Sequence, residues 1–403
     1  MPKRAAKHRN EGAWPVPKKG KARALAKRPA MATKKRGPKS QPVLCNRSNN
    51  VQKKFRKDRM RFGVSIQSLL AYQPGGLIRQ LTQDKMLPSW TGKTCPHFLS
   101  GKLGPLHYFK EKRVWVHRCS KRECQKRIQP HDFHPIFFGG RGTSLTSLGH
   151  QAAVLCCALA GVPVTAVPTI LDMDDKAVYR VYQNLEITRA RHVLMKQKDI
   201  KYGSLQKWAD VEADDVDIGK EICEDNDKAK WEQWGGIVER GRPETLALFR
   251  LNPIKTKKRA PGPGPLRRRD WKPIAEKMLR DRQIILHTDG ARSYKLALPG
   301  VFHDHVVHKK KKVKVRGKTM WIKPHYTKVC SHKLPDGKVL KVKAGTQIVD
   351  RFWGHLRAHL KYIPRKVGSA MLARKVRAAQ WTYWHKDQNL WAATGTMLEE
   401  LCT

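Results

Sequence analysis

The chain has 403 residues, enough for two or three folded units, and its 83 Lys and Arg against 33 Asp and Glu leave a formal charge of +50. Such an excess asks for a polyanion, and with no apolar stretch near the roughly 18 residues of a membrane-crossing helix, nucleic acid is favoured over a bilayer or a phospholipid surface. The start Met1-Pro2-Lys3-Arg4 lacks the apolar stretch of a secretory signal, so the expectation is a chain that is not secreted and whose nine cysteines stay reduced.

Residues 1–61, rich in Lys, Arg, Pro and Ala, have almost no apolar periodicity and read as a disordered basic arm. Its clusters Lys18-Lys19-Gly20-Lys21 and Lys34-Lys35-Arg36 suit nuclear import, nonspecific DNA contact or plain solvation. A small unit over 62–140 follows, with apolar residues from Phe62 to Trp90 and then a Cys/His-bearing segment from Cys95 to about Phe138. The odd cysteine count and irregular spacing point to metal ligands among some and buried thiols among others, such as Cys156 and Cys157.

Residues 145–200 read as helices. Leu145, Leu148, Ala152, Leu155 and Leu159 fall at helical spacing up to a stop at Gly161, and Val164, Val167, Ile170 and Leu171 face one side of a short second helix. Asp172 to Asp175 then supply a turn and N-cap for a third helix, Lys176 to about Ile187. Helix, tight turn, helix is the helix-turn-helix layout, which would aim Arg180, Tyr182 and Gln183 at DNA; a plain helical bundle is the alternative.

From Trp208 the period becomes that of strands. Asp210 to Ile218, Trp234 to Glu239 and Thr245 to Arg250 predict an antiparallel meander, followed by a helix from Asp270 to about Arg280 and a strand from Gln283 to Asp289. A short strand at His305 to His308 leads into a Lys-rich insertion, 309–344, read as a hairpin. Helix returns from Thr346 to Leu360, and a helical region over 366–403 carries Trp381, Trp384 and Trp391, either as subunit contacts or packed on the sheet. The fold class is α/β (α+β), a mixed sheet flanked by helices.

In so basic a chain, carboxylates at strand ends need an explanation. Asp214 lies in the first strand, Asp289 ends the fourth and Asp350 sits in the first turns of a later helix. Three such groups converging at one sheet edge can hold two hard cations, Mg²⁺ or Mn²⁺, about 4 Å apart for in-line phosphoryl transfer. Turn and helix-dipole roles are the ordinary alternatives. Alternation should turn Asp215 to the face opposite Asp214.

Four segments in order, Val211 to Gly219, Gly235 to Gly241, His287-Thr288-Asp289-Gly290-Ala291-Arg292-Ser293-Tyr294, and Thr346 to Arg357, resemble the ISXO-like DDE transposases, insertion-sequence enzymes related to Merlin elements. The resemblance covers roughly Trp208 to Lys361. It implies an RNase H-like catalytic domain over 208–361 with Asp214, Asp289 and Asp350 as catalytic metal ligands, and Arg357 in place of a phosphate-contacting Lys. It departs from the family at Gln347 for Asn, at Asp350 for Glu, at Asp214-Asp215 for Asp-Glu, and in the Lys-rich insertion. Family members often carry a zinc-ribbon-like segment before DNA-reading helices, and here Cys95, His97, Cys119 and Cys124 form a candidate zinc set, with His117, His131 and His134 as rivals and a basic unit with buried thiols as the alternative. Implied partners are transposon ends and target DNA, and a homo-oligomer; implied location is the nucleus in a eukaryote, otherwise the cytoplasm or nucleoid. A domesticated, catalytically silent DNA-binding protein or a nuclease on the same fold are the rival readings.

Overall fold

A computed structural model of the chain describes residues 61–402, save 140–145, 205–206, 225–226, 309, 316–317 and 362. The arm expected over 1–61 therefore lies outside the described residues up to 60, as does Leu145.

Helices α1 (Ile66–Ala71) and α2 (Pro74–Gln83) come first. Ser65 and Ser68 close a capping box on α1, and Pro74 opens α2 where its missing N–H costs nothing. Short strands β1 (Thr94–Cys95), β2 (Phe98–Lys102), β3 (His107–Phe109), β4 (Val114–Arg118) and β5 (Arg127–Ile128) make two small sheets, β1-β2 and β3-β4-β5. Helix α3 (Leu148–Ala160) is capped by Ser147 and stops at Gly161, whose φ of +80° suits glycine. A short helix, α4 (Val167–Leu171), leads to α5 (Asp175–Lys196), capped by the Asp174 carboxylate accepting from Ala177 N–H. The α5 helix outruns its expected end near Ile187 because buried Thr188, Ala190, His192 and Val193 continue its packed face.

The main sheet comprises β6 (Ala209–Ile222), β7 (Lys228–Glu239), β8 (Ala247–Arg250), β9 (Ile254–Lys257), β10 (Ile284–Thr288) and β11 (Val301–His305), with α6 (Arg268–Leu279) between β9 and β10. Its order is β11-β10-β6-β7-β8, with β9 also on β7. The expected meander β6-β7-β8 is antiparallel, whereas β10 runs parallel to both β6 and β11. The strand expected at His305 to His308 instead ends at His305, since its register runs from Ile284 opposite Val301 to Thr288 opposite His305. The insertion forms two hairpins rather than one, β12 (Lys311–Val315) with β13 (Lys318–Ile322) and β14 (Lys328–Lys333) with β15 (Val339–Ala344). Helices α7 (Gln347–His359), α8 (Ala370–Trp384) and α9 (Leu390–Cys402) complete the chain.

Strand alternation divides the core. Val211 and Ala213 face α6, joining Trp271, Ala275, Leu279 and Tyr294. Val216 and Ile218 face the other way, into a larger core with Phe352, Trp353 and Leu356 of α7 and with Val376, Ala379 and Trp381 of α8. That second core also takes in Leu69, Leu77 and Leu81, Val154 and Leu155, and Val178 and Val181. The apolar residues before Trp90 therefore pack with the helices, not with the Cys-bearing unit, whose own core is Cys95, Leu103, Cys119 and Ile128. Cys156 and Cys157 are the expected buried thiols. Trp381, Trp384 and Trp391 are all buried, and the Trp384 indole donates to Leu246 O across the sheet at 2.7 Å. Among the described residues no helix is long and apolar enough to cross a membrane.

Candidate active site

Asp214 sits inside β6, opposite Gly236 of β7. Parallel pairing sets His287 opposite Glu212, so continuing the register two residues past it brings Asp289 level with Asp214 at the end of β10. Asp350, in the first turn of α7, arrives from the helix crossing that face. Three elements thus bring Asp289 and Asp350 close enough to act on Asp214, where β10 ends beside β6.

The placement of α7 depends on Glu212, which is 1% exposed. Its Oε2 accepts from the free N–H groups of Ile348 and Val349 at 2.6 and 3.1 Å, and its Oε1 from Arg240 Nε at 2.7 Å. The same guanidinium donates to Lys343 O and Gly345 O, so one buried ion pair ties β6, β15 and the start of α7 together. Trp353 of α7 then lies across Gly236, where an added Cβ would stand 2.8 Å from Trp353 Cζ2. Its indole N–H donates to Asp214 Oδ2 at 3.1 Å. Thr346 Oγ1 donates to Asp350 Oδ2 at 3.0 Å, and Asp289 Oδ1 accepts from Ala291 N–H at 2.9 Å.

Asp215 faces away from Asp214, as alternation requires, and accepts from Gln233 Nε2 at 2.6 Å and Tyr294 OH at 3.3 Å. Burial, and then the negative charges of Asp215, Asp350 and Asp289, hold the Asp214 carboxyl well above its ordinary value. Burial, with the Asp289 charge adding to it, pushes Asp215 up to about 6 against its two hydrogen bonds. Tyr294 is raised well above its ordinary value by burial and by the negative charges of Asp215, Asp214 and Asp289.

None of Asp214, Asp215, Asp289 and Asp350 has a Lys, Arg or His within ion-pair distance among the described residues. Other buried acids do: Glu212 has Arg240, Glu232 has Arg250 at 2.6 Å, Asp210 has His287 at 2.8 Å and Asp304 has His332 at 2.9 Å. Mutually repelling oxygens without a cationic partner, in a chain this rich in cations, are a donor set suited to hard metal ions. The three oxygens are not closed to single-ion spacing. Among the described residues, one group of three or more His, Cys, Asp or Glu ligand atoms lies within 4.8 Å of one another, and it is Cys95, Cys119 and Cys124.

Those thiols make the second candidate site. β1 and β2 turn between Cys95 and Phe98, Cys119 pairs with Leu103, and Cys95 Sγ lies 3.8 Å from Cys124 Sγ. A Cβ on Gly101 would sit 2.5 Å from Cys119 Sγ, so glycine makes room for the cluster. Burial raises Cys95, but the His97 N–H, the Cys119 and Cys124 side chains and the Phe98 N–H outweigh it and leave the thiol below its ordinary value. The cluster could hold a soft cation such as zinc.

His97 is a correction to the expected ligand set. It lies exposed in the β1-β2 turn, its ring 5.9 Å from that of Phe133, outside the thiol group. The rival ligands also lie elsewhere: His117 Nδ1 bonds Gly104 O, and His134 Nδ1 accepts from Ile136 and Phe137 N–H. His131 is not in the group either.

Arg180 and Gln183 are exposed on α5, with the Arg180 guanidinium 4.0 Å over the Phe138 ring. They are not brought to the carboxylates. Arg357 is exposed on α7, two turns beyond Asp350 and so on the same side of the helix. Sequence reasoning missed Glu212, Gln233 and Arg240 as supports; the one available signal was Glu212 at an inward position of β6, where an acid needs a partner. Compared with protein families, curated proteins and solved structures, the chain finds no match.

Proposed function

We propose that the protein is a DDE-type transposase of the ISXO-like group, cutting DNA and joining strands by metal-dependent phosphoryl transfer. The observation that carries this reading is the convergence of Asp289 and Asp350 on Asp214, whose carboxyl is held well above its ordinary value by burial and by neighbouring negative charge, with no cationic partner among the described residues of a chain of charge +50. The mixed sheet supports an RNase H-like core: three antiparallel strands, two parallel strands added beyond the first, and α7 across one face. Asp214, Asp289 and Asp350 would hold Mg²⁺ or Mn²⁺. When bound, such ions would supply activation of an attacking oxygen and stabilisation of the leaving one.

The chain's own groups prepare that chemistry. Trp353 fixes the Asp214 carboxylate by its indole N–H, Thr346 fixes Asp350, and the Ala291 N–H fixes Asp289. Arg357 lies where it would meet a phosphate, and the α3-α4-α5 helices with Arg180 and Gln183 would read flanking duplex in a helix-turn-helix manner. One zinc would brace the β1-β5 unit.

A second reading, a DNA-binding descendant that no longer cuts, is favoured by Asp350, one methylene shorter than the family's Glu. The deciding assay incubates the full chain with Mg²⁺ or Mn²⁺ and DNA bearing the repeats that flank its gene. Cutting and joining that Asp214→Ala, Asp289→Ala and Asp350→Ala each abolish, with DNA affinity kept, is the expected result. Tight binding without metal-dependent cutting in any version sinks the transposase reading and leaves the second.

A further inference from the structure

The two hairpins of the insertion differ in how the protein treats them. β14-β15 is docked: Val342 and Ala344 are buried, His332 bonds Asp304 and stacks on Phe302, and Arg240 holds Lys343 O and Gly345 O. Among the described residues, none of β12-β13 belongs to a core. Its register sets Lys312 opposite Trp321, Val313 opposite Met320 and Lys314 opposite Thr319. Trp321 is 63% exposed, Met320 55% and Ile322 47%. By strand alternation Met320 and Ile322 share one face and Trp321 takes the other, so large apolar groups stand in water on both faces. A two-stranded ribbon so exposed is at best marginally stable by itself.

Its charge says what kind of partner stabilises it. Residues 305–335 contain ten Lys and Arg and no Asp or Glu, and Lys310, Lys312, Lys314 and Lys323 are exposed. A membrane-surface element would segregate its apolar groups on one face and its cations on the other. Here Trp321 shares its face with Lys312 and Lys314 while Met320 and Ile322 stand opposite, so both faces meet the partner at once. The major groove of duplex DNA offers that setting. It admits a two-stranded ribbon, its walls are phosphates, and its floor presents thymine methyl groups to apolar side chains. We propose that β12-β13 is a DNA-clamping ribbon that enters the major groove, with Lys310, Lys312 and Lys314 on the phosphates and Met320, Trp321 and Ile322 on the base edges. The proposal rests on DNA being the substrate, but not on whether the chain cuts it.

The test compares the full chain with a Lys310→Gln, Lys312→Gln, Lys314→Gln variant and, separately, Trp321→Ala. Affinity for a fluorescent duplex is measured across potassium chloride concentrations, and guanine N7 protection from dimethyl sulfate reports groove occupancy. Since each phosphate contact adds roughly 0.9 to the slope of log affinity against log salt, the triple variant should flatten that slope by about 2 to 3. Trp321→Ala should keep the slope and lose N7 protection, and neither change should move the melting temperature. An unchanged slope with unchanged N7 protection overturns the ribbon and leaves the transposase reading standing. Stronger retention on phosphatidylserine vesicles than on duplex, lost in the triple variant, overturns it in favour of a membrane surface. A wild-type chain that does not bind duplex at all overturns both.

Discussion

At the residue scale, burial and neighbouring negative charge make Asp214 and Asp215 hold their protons more tightly than ordinary carboxyls. Asp215, raised from 3.8 to about 6, prefers its proton more in the folded chain than in the unfolded one. Its contribution to stability is therefore fully present below about pH 4 and lost as pH rises through 6, to an extent on the order of 3 kcal/mol at about 1.4 kcal/mol per unit. Asp215→Asn keeps the neutral form at every pH, and an amide can accept from Gln233 while donating to the Tyr294 oxygen. The metal-free variant should melt higher than wild type at pH 7 and no differently at pH 4; equal melting curves at pH 7 would show that the charged form of Asp215 carries no penalty from burial and repulsion. Asp214 leads to a complementary expectation. Mn²⁺ should raise the wild-type melting temperature more at pH 7 than at pH 5, because protons compete for the same oxygens, and Asp214→Asn should abolish that gain. How Asp214 and Asp289 come together was legible in the sequence, since each ends or crosses a readable strand. The indole of Trp353 on Asp214 was not, because it depends on Gly236 leaving a gap across a sheet whose pairing no local pattern states.

At the element scale, two small devices hold the sites. The first is Glu212 at the start of α7: removing its charge leaves Arg240 buried without an anion and two helix N–H groups without an acceptor. Glu212→Ala should cost about 3–5 kcal/mol in denaturant unfolding, the range for breaking a buried pair; a loss under 1 kcal/mol would show that α7 is anchored elsewhere. The second is the thiol cluster. The purified chain should contain one zinc by mass spectrometry of the metal. Gly101→Ala, which drives a methyl group into Cys119 Sγ, should lower that content as Cys119→Ser does. A Cys119→Ser chain that retains a full zinc would place the ion elsewhere. The three cysteines were legible as candidate ligands by residue type; the exclusion of His97 was not, because two residues along a tight turn its side chain points out while Cys95 points in. Likewise the β11 boundary was misplaced, since its parallel partner rather than its own alternation sets where pairing stops.

At the scale of the whole molecule, the segments that read as separate units along the chain share a core. The helices before Trp90, the α3-α5 group, α7, α8 and α9 all contribute to the apolar layer on one face of the main sheet. Long-range polar contacts run the same way: Trp391 Nε1 donates to Asp84 Oδ2 at 2.9 Å, and Glu186 of α5 holds both Arg374 and Lys375 of α8 at 2.7 and 2.6 Å. Composition and periodicity located these helices but could not say that distant ones meet, because an apolar stripe records that a face is buried and not against what. The consequence is that the C-terminal helices are part of the platform and not an appendage. Deleting residues 366–403 uncovers Leu155, Val181 and Leu248, and strands Leu246 O, which Gln380 and Trp384 satisfy. Such a truncated chain should lose its near-ultraviolet circular dichroism and bind hydrophobic dye while keeping much of its helical signal, as a state without fixed packing does. If it instead melts cooperatively with the carboxylate cluster still binding Mn²⁺, the sheet and α7 fold without this layer, and the placement of Asp350 rests on the Glu212 anchor alone.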